Sequence, residues 1–312
     1  MHKQEYLRKT TGFVAHIVNV AAAASWPRQY YDRDRRHIWQ CVSLVDAAQN
    51  YQYGISQDIW REAIGDGTMP TSSLQSNTQL LAALGRRLRV ARTTGDEASA
   101  HAACVLILKW GGVYNRGRKG KQNRDRLEGI AQRDGGLLGY LNAVDAGLVE
   151  NTDDFQTVCT RARDSLYCNA GFTKIYSLMR DDFVIYDSRV AAALGLLVAG
   201  YCQSNNYDTV PNELKFMWMA ASASKNAAGI HIANQLRDPS INNLRFASRP
   251  PGENGHTAFF RHNIRANWLL TAAVAAKTMQ AWPTFASTHN ITVLRALEAA
   301  LFMVGYDLNP PS

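Results

Sequence analysis

The chain has 312 residues, 46% hydrophobic and 19% charged, the make-up of a globular protein long enough to bury a core. Its longest apolar run, 268–276, stops at Lys277, and the stretch 14–24 is interrupted by His16 and Asn19. Neither a membrane span nor a secretory signal is therefore expected. The net charge of +8 favours polyanionic partners.

Five scattered cysteines (Cys41, Cys104, Cys159, Cys168 and Cys202) form no C-x-x-C pair. They read as small buried side chains in a reducing, cytoplasmic setting rather than as a disulfide framework or a metal site.

Helical periodicity dominates, without internal repeats or long linkers. A first helix is expected over 36–50. Leu80, Leu81, Leu84 and Leu88 form the apolar stripe of a helix beginning near Ser76. Arg86, Arg87, Arg89 and Arg92 at its end either complement the helix dipole or meet a phosphate. Ala103, Leu106 and Trp110 mark the next helix, over 97–110.

The segment that follows is a basic loop in which Arg116, Arg118, Lys119, Lys121 and Arg124 stand among four glycines. Glycine lets a backbone approach a phosphate closely. Cations release counterions when they meet a phosphate chain, Asn and Gln can bond base edges, and Trp110 and Tyr114 offer stacking faces. For Trp110, core packing fits better. The spacing does not match G-x-x-x-x-G-K-[ST], because Gly117 is followed by Arg118 and Lys119, so ATP or GTP chemistry has little support.

Helices follow over 125–133 and 136–146, and then one striped by Val190, Leu194, Leu197 and Tyr201. Further helices are expected over 212–225 and 261–279, and a last one on Ile291, Leu294, Leu297, Leu301 and Val304. The best strand signal is Phe-Val-Ile-Tyr at 183–186. The fold class is mainly α, with few short strands: one helical unit over 1–312, two-lobed, its functional centre at about 105–205. His231, His256 and His262 lack His-x-x-x-His spacing, so no metal is expected there.

The chemistry concentrates between Asn169 and Leu197. Gly171 permits a tight turn, and a short helix starts near Phe172 whose first N–H groups can hold a phosphate. Lys174 falls in its first turn, where the positive helix end disfavours a second cation and makes the amine a better nucleophile. By itself Lys174 also reads as a plain surface lysine. Asp187, just before a strongly amphipathic helix, reads as an N-cap, a role compatible with catalysis because a capped carboxylate stays ionised and fixed.

Ala170-Gly171-Phe172-Thr173-Lys174 and, further on, Ile185-Tyr186-Asp187-Ser188-Arg189-Val190 resemble the helix-hairpin-helix superfamily of DNA glycosylases. Within it they are similar to bacterial proteins of the 8-oxoguanine DNA glycosylase fold. In that family a hairpin ending G-x-G-T-K gives backbone amides to a DNA phosphate and, in some members, the lysine nucleophile. A later V-D-x-[HR]-V segment gives the catalytic Asp. The resemblance spans about 30 residues; the hairpin's first glycine is replaced, since Asn169-Ala170 precedes Gly171, and 13 residues separate Lys174 from Asp187.

The resemblance implies the helix-hairpin-helix glycosylase fold, with Asp187 and Lys174 catalytic. Gly171, Thr173 and Arg189 would join the basic loop on DNA. The activity implied is flipping out a damaged or modified base of duplex DNA and hydrolysing its N-glycosidic bond, by a monomer without cofactor, in repair or in defence against phage with modified DNA. Trp110, Phe172, Tyr176 and Tyr186 are the aromatic candidates for the base pocket. Three other classes stay open: a DNA-binding module in which Asp187 only caps, a metal-dependent nuclease using Asp181, Asp182 and Asp187, and last a structural protein that binds no nucleotide.

Overall fold

The computed structural model describes residues 1–31, 38–116, 120–161, 166–221, 224–225, 231–232, 236–250, 252–276 and 278–308. These residues are mainly α-helical, with fourteen α-helices and two antiparallel two-stranded sheets among them. The chain divides into a central unit, Met1–His2 with Tyr53–Ile185, and a flanking unit, Lys3–Gln52 with Tyr186–Ser312.

The flanking unit begins with α1 (Lys3–Lys9), α2 (Thr11–Ala22), the strands β1 (Arg28–Tyr31) and β2 (Ile38–Cys41), and α3 (Leu44–Gln49). The helix expected over 36–50 is thus only half present. Its first part pairs with β1, Arg28 opposite Cys41, which takes the backbone groups a helix would need. Helix starts where the Ser43 hydroxyl accepts the Asp46 N–H at 3.1 Å, an N-cap.

The central unit holds α4 (Gln57–Ile64), α5 (Ser73–Thr94), α6 (Glu97–Trp110), α7 (Asn123–Ala131), α8 (Gly136–Leu148), α9 (Phe155–Arg161) and α10 (Phe172–Met179). Leu80, Leu84 and Leu88 of α5 are fully buried, as their spacing predicts. Gly95 ends α5 at a φ of +74°, and Asp96 caps α6 by accepting the Ser99 N–H at 3.0 Å. Glu97 reaches the start of α8, where its carboxylate accepts from the Leu137 and Leu138 N–H groups.

Of the four arginines closing α5, Arg86 is exposed and the other three are struts. Arg87 donates to the Glu62 carbonyl, Arg92 binds Asn142 and Asp145, and Arg89 donates at 3.0 Å to the Leu178 carbonyl. The last of these satisfies a carbonyl in the final turn of α10. All eight residues of α10 are buried, and the helix packs against α5 and α6.

The flanking unit resumes with α11 (Ser188–Ser204), a 3-10 turn (Asn212–Leu214), β3 (Ser224–Lys225), β4 (His231–Ile232), α12 (Gly252–Val274), α13 (Ala281–His289) and α14 (Val293–Val304). Residues 183–186, read as a strand, belong to neither sheet. The helix expected over 212–225 is a single turn. Beyond it Trp218 pairs its N–H and C=O with Ala247 and Arg249 at 3.1 and 2.9 Å, a distant ladder that competes with helix. α3 and α11 both pack on α14, and α12 lies on α2.

At the end of α14, Gly305 sits so close to α11 that a Cβ would overlap the Arg189 carbonyl and approach the Ala193 nitrogen to 2.9 Å. Both are backbone atoms and cannot swing aside. Gly305→Ala is expected to destabilise the protein by roughly 1–3 kcal/mol or more, read as a lower midpoint in urea. A midpoint equal to wild type would show that the two helices separate without cost.

Candidate active site

Lys174 stands in the first turn of α10 and is 5% exposed, so it is not the surface lysine that its side chain type suggests. Its Nζ donates to the Ala170 carbonyl at 2.8 Å. Its aliphatic stem crosses Gly111, where a Cβ would come within 2.5 Å of Cδ and 2.7 Å of Cε. Gly111 is therefore required by the lysine's passage.

The turn before α10 is organised by two asparagines. Asn169 Oδ1 accepts the Gly171 and Phe172 N–H groups at 2.7 and 3.1 Å, and its own carbonyl accepts the Thr173 N–H at 3.0 Å. These amides, expected to be open to a phosphate, are bonded within the protein. Asn169 Nδ2 donates to Asn123 Oδ1, and Asn123 Nδ2 donates to the Val113 carbonyl, each at 3.0 Å. Gly171 has an ordinary φ of −84°. What demands glycine there is Asn123, whose side chain a Cβ would strike. Thr173 is fully buried.

The same network ties the described part of the basic loop to α7. Asn123 opens α7, the Arg124 N–H donates to the Tyr114 carbonyl at 2.9 Å, and the Gln122 N–H donates to Asp125 at 2.9 Å. That last bond is the main reason why the Asp125 carboxyl lies below its usual range. Arg116 and Lys121 are exposed, and Arg124 is exposed beside Asp125 at 3.4 Å. Arg118 and Lys119 lie outside the described residues.

Sequence reasoning passed over two further cations. Arg126 and Arg133 place their guanidinium groups 5.2 and 5.8 Å from the ring centre of Tyr167, and Arg133 donates to its hydroxyl. Their seven-residue spacing, two helical turns, was the available signal.

In the flanking unit, Asp187 is the N-cap of α11. Its Oδ1 accepts the Arg189 N–H at 2.9 Å and the Val190 N–H at 3.2 Å. The capping role expected from sequence is present, and it holds the carboxylate in one orientation. Arg189, assigned to DNA from the resemblance, turns its guanidinium onto the rings of Phe302 and Tyr306, at 4.1 and 4.3 Å, a cation–π arrangement.

The four aromatic candidates lie in the interior. Trp110 donates to Asn77 at 2.8 Å and contacts Tyr53. Tyr176 donates to the Tyr167 carbonyl at 2.6 Å and shares a 2.7 Å bond with the Tyr140 hydroxyl. Burial pushes the hydroxyls of both Tyr140 and Tyr176 upward, out of reach of neutral-pH ionisation. Phe172 is fully buried, as is Tyr186, which donates to the Met217 carbonyl at 3.2 Å. The rings thus belong to core packing, not to a surface on which a base stacks.

Asp181 and Asp182, the other ligands a nuclease would use, pair with arginines. Asp181 faces Arg89 at 3.4 Å, and Asp182 takes a two-point bond from Arg180 at 2.8 and 2.9 Å. Among the described residues no group of three or more His, Cys, Asp or Glu side chains is placed to hold a metal ion, and no helix is long and apolar enough to cross a membrane. No family model, no curated protein and no solved structure matches the chain.

Proposed function

We propose that this protein is a DNA glycosylase of the helix-hairpin-helix type, a cytoplasmic monomer that flips out a damaged or modified base and hydrolyses its N-glycosidic bond. The observation that carries the reading is Asp187. It is a carboxylate fixed by two backbone N–H groups at the head of α11, inside the segment whose order resembles the glycosylase motif. As the glycosidic bond opens, positive charge builds on the sugar, and a held, ionised carboxylate stabilises it without reorganising. Water then adds to the anomeric carbon, the base leaves with the bonding pair and a proton, and an abasic site remains. If the amine of Lys174 adds instead, the base leaves with the bonding pair and a proton from the amine, the ring C–O bond at that carbon opens to give an iminium, and strand cleavage can follow. Neither route requires a metal.

Duplex oligonucleotides carrying varied modified bases, including those of phage DNA, test the reading with and without EDTA. An EDTA-resistant abasic product is expected. Cutting that EDTA abolishes would mean a nuclease, although the arginine pairs on Asp181 and Asp182 weigh against it. Binding without product would mean a DNA-binding module.

For the backbone contact, the exposed Arg116, Lys121 and Arg124 are the testable cations. Replacing Arg116 and Lys121 by Ala should weaken binding to all sequences alike and flatten the salt dependence by about 0.9 in slope per lost phosphate contact. A slope equal to wild type would show that the loop is merely solvated.

A further inference from the structure

Next to the half-buried Asp187 the flanking unit buries a charged side chain that the proposed reaction does not use. Arg237 is 8% exposed. Its Nη1 donates to the hydroxyl of Ser188, the first residue of α11, and its Nε has no hydrogen-bond partner among the described residues.

The segment carrying it is pinned on both sides. Asp307, 2% exposed, accepts the Leu236 N–H at 2.9 Å, and the Leu308 N–H donates to the Leu236 carbonyl at 2.8 Å. Two residues on, Pro239 fills the notch at Gly195 of α11, where a Cβ would strike its ring. The position of Arg237 is therefore built into the fold.

Such a placement carries a desolvation cost. Burying a guanidinium with one bond unmade is unfavourable, and burial, aided by the like charge of Arg189, pulls Arg237 down to about 10 against the opposing pull of Asp187, Tyr306 and Asp307. The cation stays charged at neutral pH. Arg189 sits on the rings of Phe302 and Tyr306, which leaves Arg237 as the group joined to the head of α11 through Ser188.

We propose that Arg237 is a positioning residue for Asp187: its buried charge favours the charged form of that carboxylate, and its bond to Ser188 fixes the helix start from which the carboxylate projects. The proposal rests on the glycosylase reading. Its chemistry is electrostatic. A nearby cation favours the charged form of a carboxylate, and a shift in the capping residue misdirects the group that must meet the sugar.

The full chain and its variants Arg237→Met and Arg237→Lys test this, with two readouts. The first is single-turnover excision across pH, with DNA affinity and melting temperature. The second is the ionisation of Asp187 in the free protein, followed by carboxyl-carbon NMR with Asp187→Asn as the assignment control. Arg237→Met is expected to melt no lower than wild type and to bind DNA within a few-fold. It should lose roughly tenfold to a hundredfold in excision at neutral pH. Removing the cation raises the Asp187 carboxyl, so the acid limb of activity and the NMR titration should both move to higher pH by about one unit. Arg237→Lys, which keeps the charge, should restore most of the activity.

An Asp187 titration unmoved in Arg237→Met overturns the proposal. So does a lowered melting temperature with no rescue by lysine, which marks a purely structural arginine. If the wild-type protein excises no base, the glycosylase reading fails, and the NMR titration still decides whether Arg237 holds Asp187 ionised.

Discussion

In single-turnover assays Asp187→Asn is expected to lose base excision by on the order of a hundred- to a thousandfold, with melting temperature and DNA affinity close to wild type. The separation follows from the two jobs of the side chain. As a cap, Asp187 needs one oxygen to accept the Arg189 and Val190 N–H groups, and an asparagine oxygen does this about equally well. As a stabiliser of the cationic sugar it needs a charge, which asparagine lacks, so the loss falls on the transition state. Asp187→Ala supplies the contrast. It removes cap and charge together and should cost about 1 kcal/mol of stability in addition to the activity. Near-normal excision by a folded Asp187→Asn protein would leave Asp187 as a cap and remove the glycosylase reading's main support.

The parts of the fold decided locally were legible in the sequence. The apolar stripes of α5 and α14 each follow from the spacing of residues within the helix itself. Where the deciding partner is distant, the local pattern misled. Residues 38–41 pair with β1, and Trp218 pairs with the segment at 247–249, so helix-like stretches became strand or extended chain.

The site divides in the same way. The capping geometry of Asp187 could be read from Asp-Ser-Arg-Val alone. The burial of Lys174 could not, because it depends on Gly111, 63 residues earlier. Nor could the bonded state of the Gly171 and Phe172 amides, since Asn169 is an unremarkable residue until it turns its oxygen back on them. Arg237 offered no local signal at all; only the fold brings it to Ser188.

Lys174 gives the second large effect. Sodium borohydride added during turnover is expected to trap a covalent enzyme–DNA adduct, and Lys174→Ala should abolish it. The amine is held near the turn before α10 by its bond to the Ala170 carbonyl and by the packing of its stem over Gly111. It must leave that carbonyl to attack, exchanging one hydrogen bond of about 1 kcal/mol net for a new C–N bond. Lys174→Ala also strips the half-buried Ala170 carbonyl of its donor, so a stability loss of about 1 kcal/mol should accompany the lost adduct, and melting must be measured beside trapping. Gly111→Ala separates the two effects. It leaves the amine in place chemically, but its methyl would lie 2.5 Å from Cδ and displace the stem, and a displacement near 1 Å costs about a hundredfold in rate. Trapping should then fall steeply while the lysine remains. If abasic product accumulates in the wild-type protein and borohydride traps nothing, the covalent route is refuted and water is the nucleophile. If Lys174→Ala also keeps full excision, the buried lysine is an anchor for the turn before α10, and the chemistry rests on Asp187 alone.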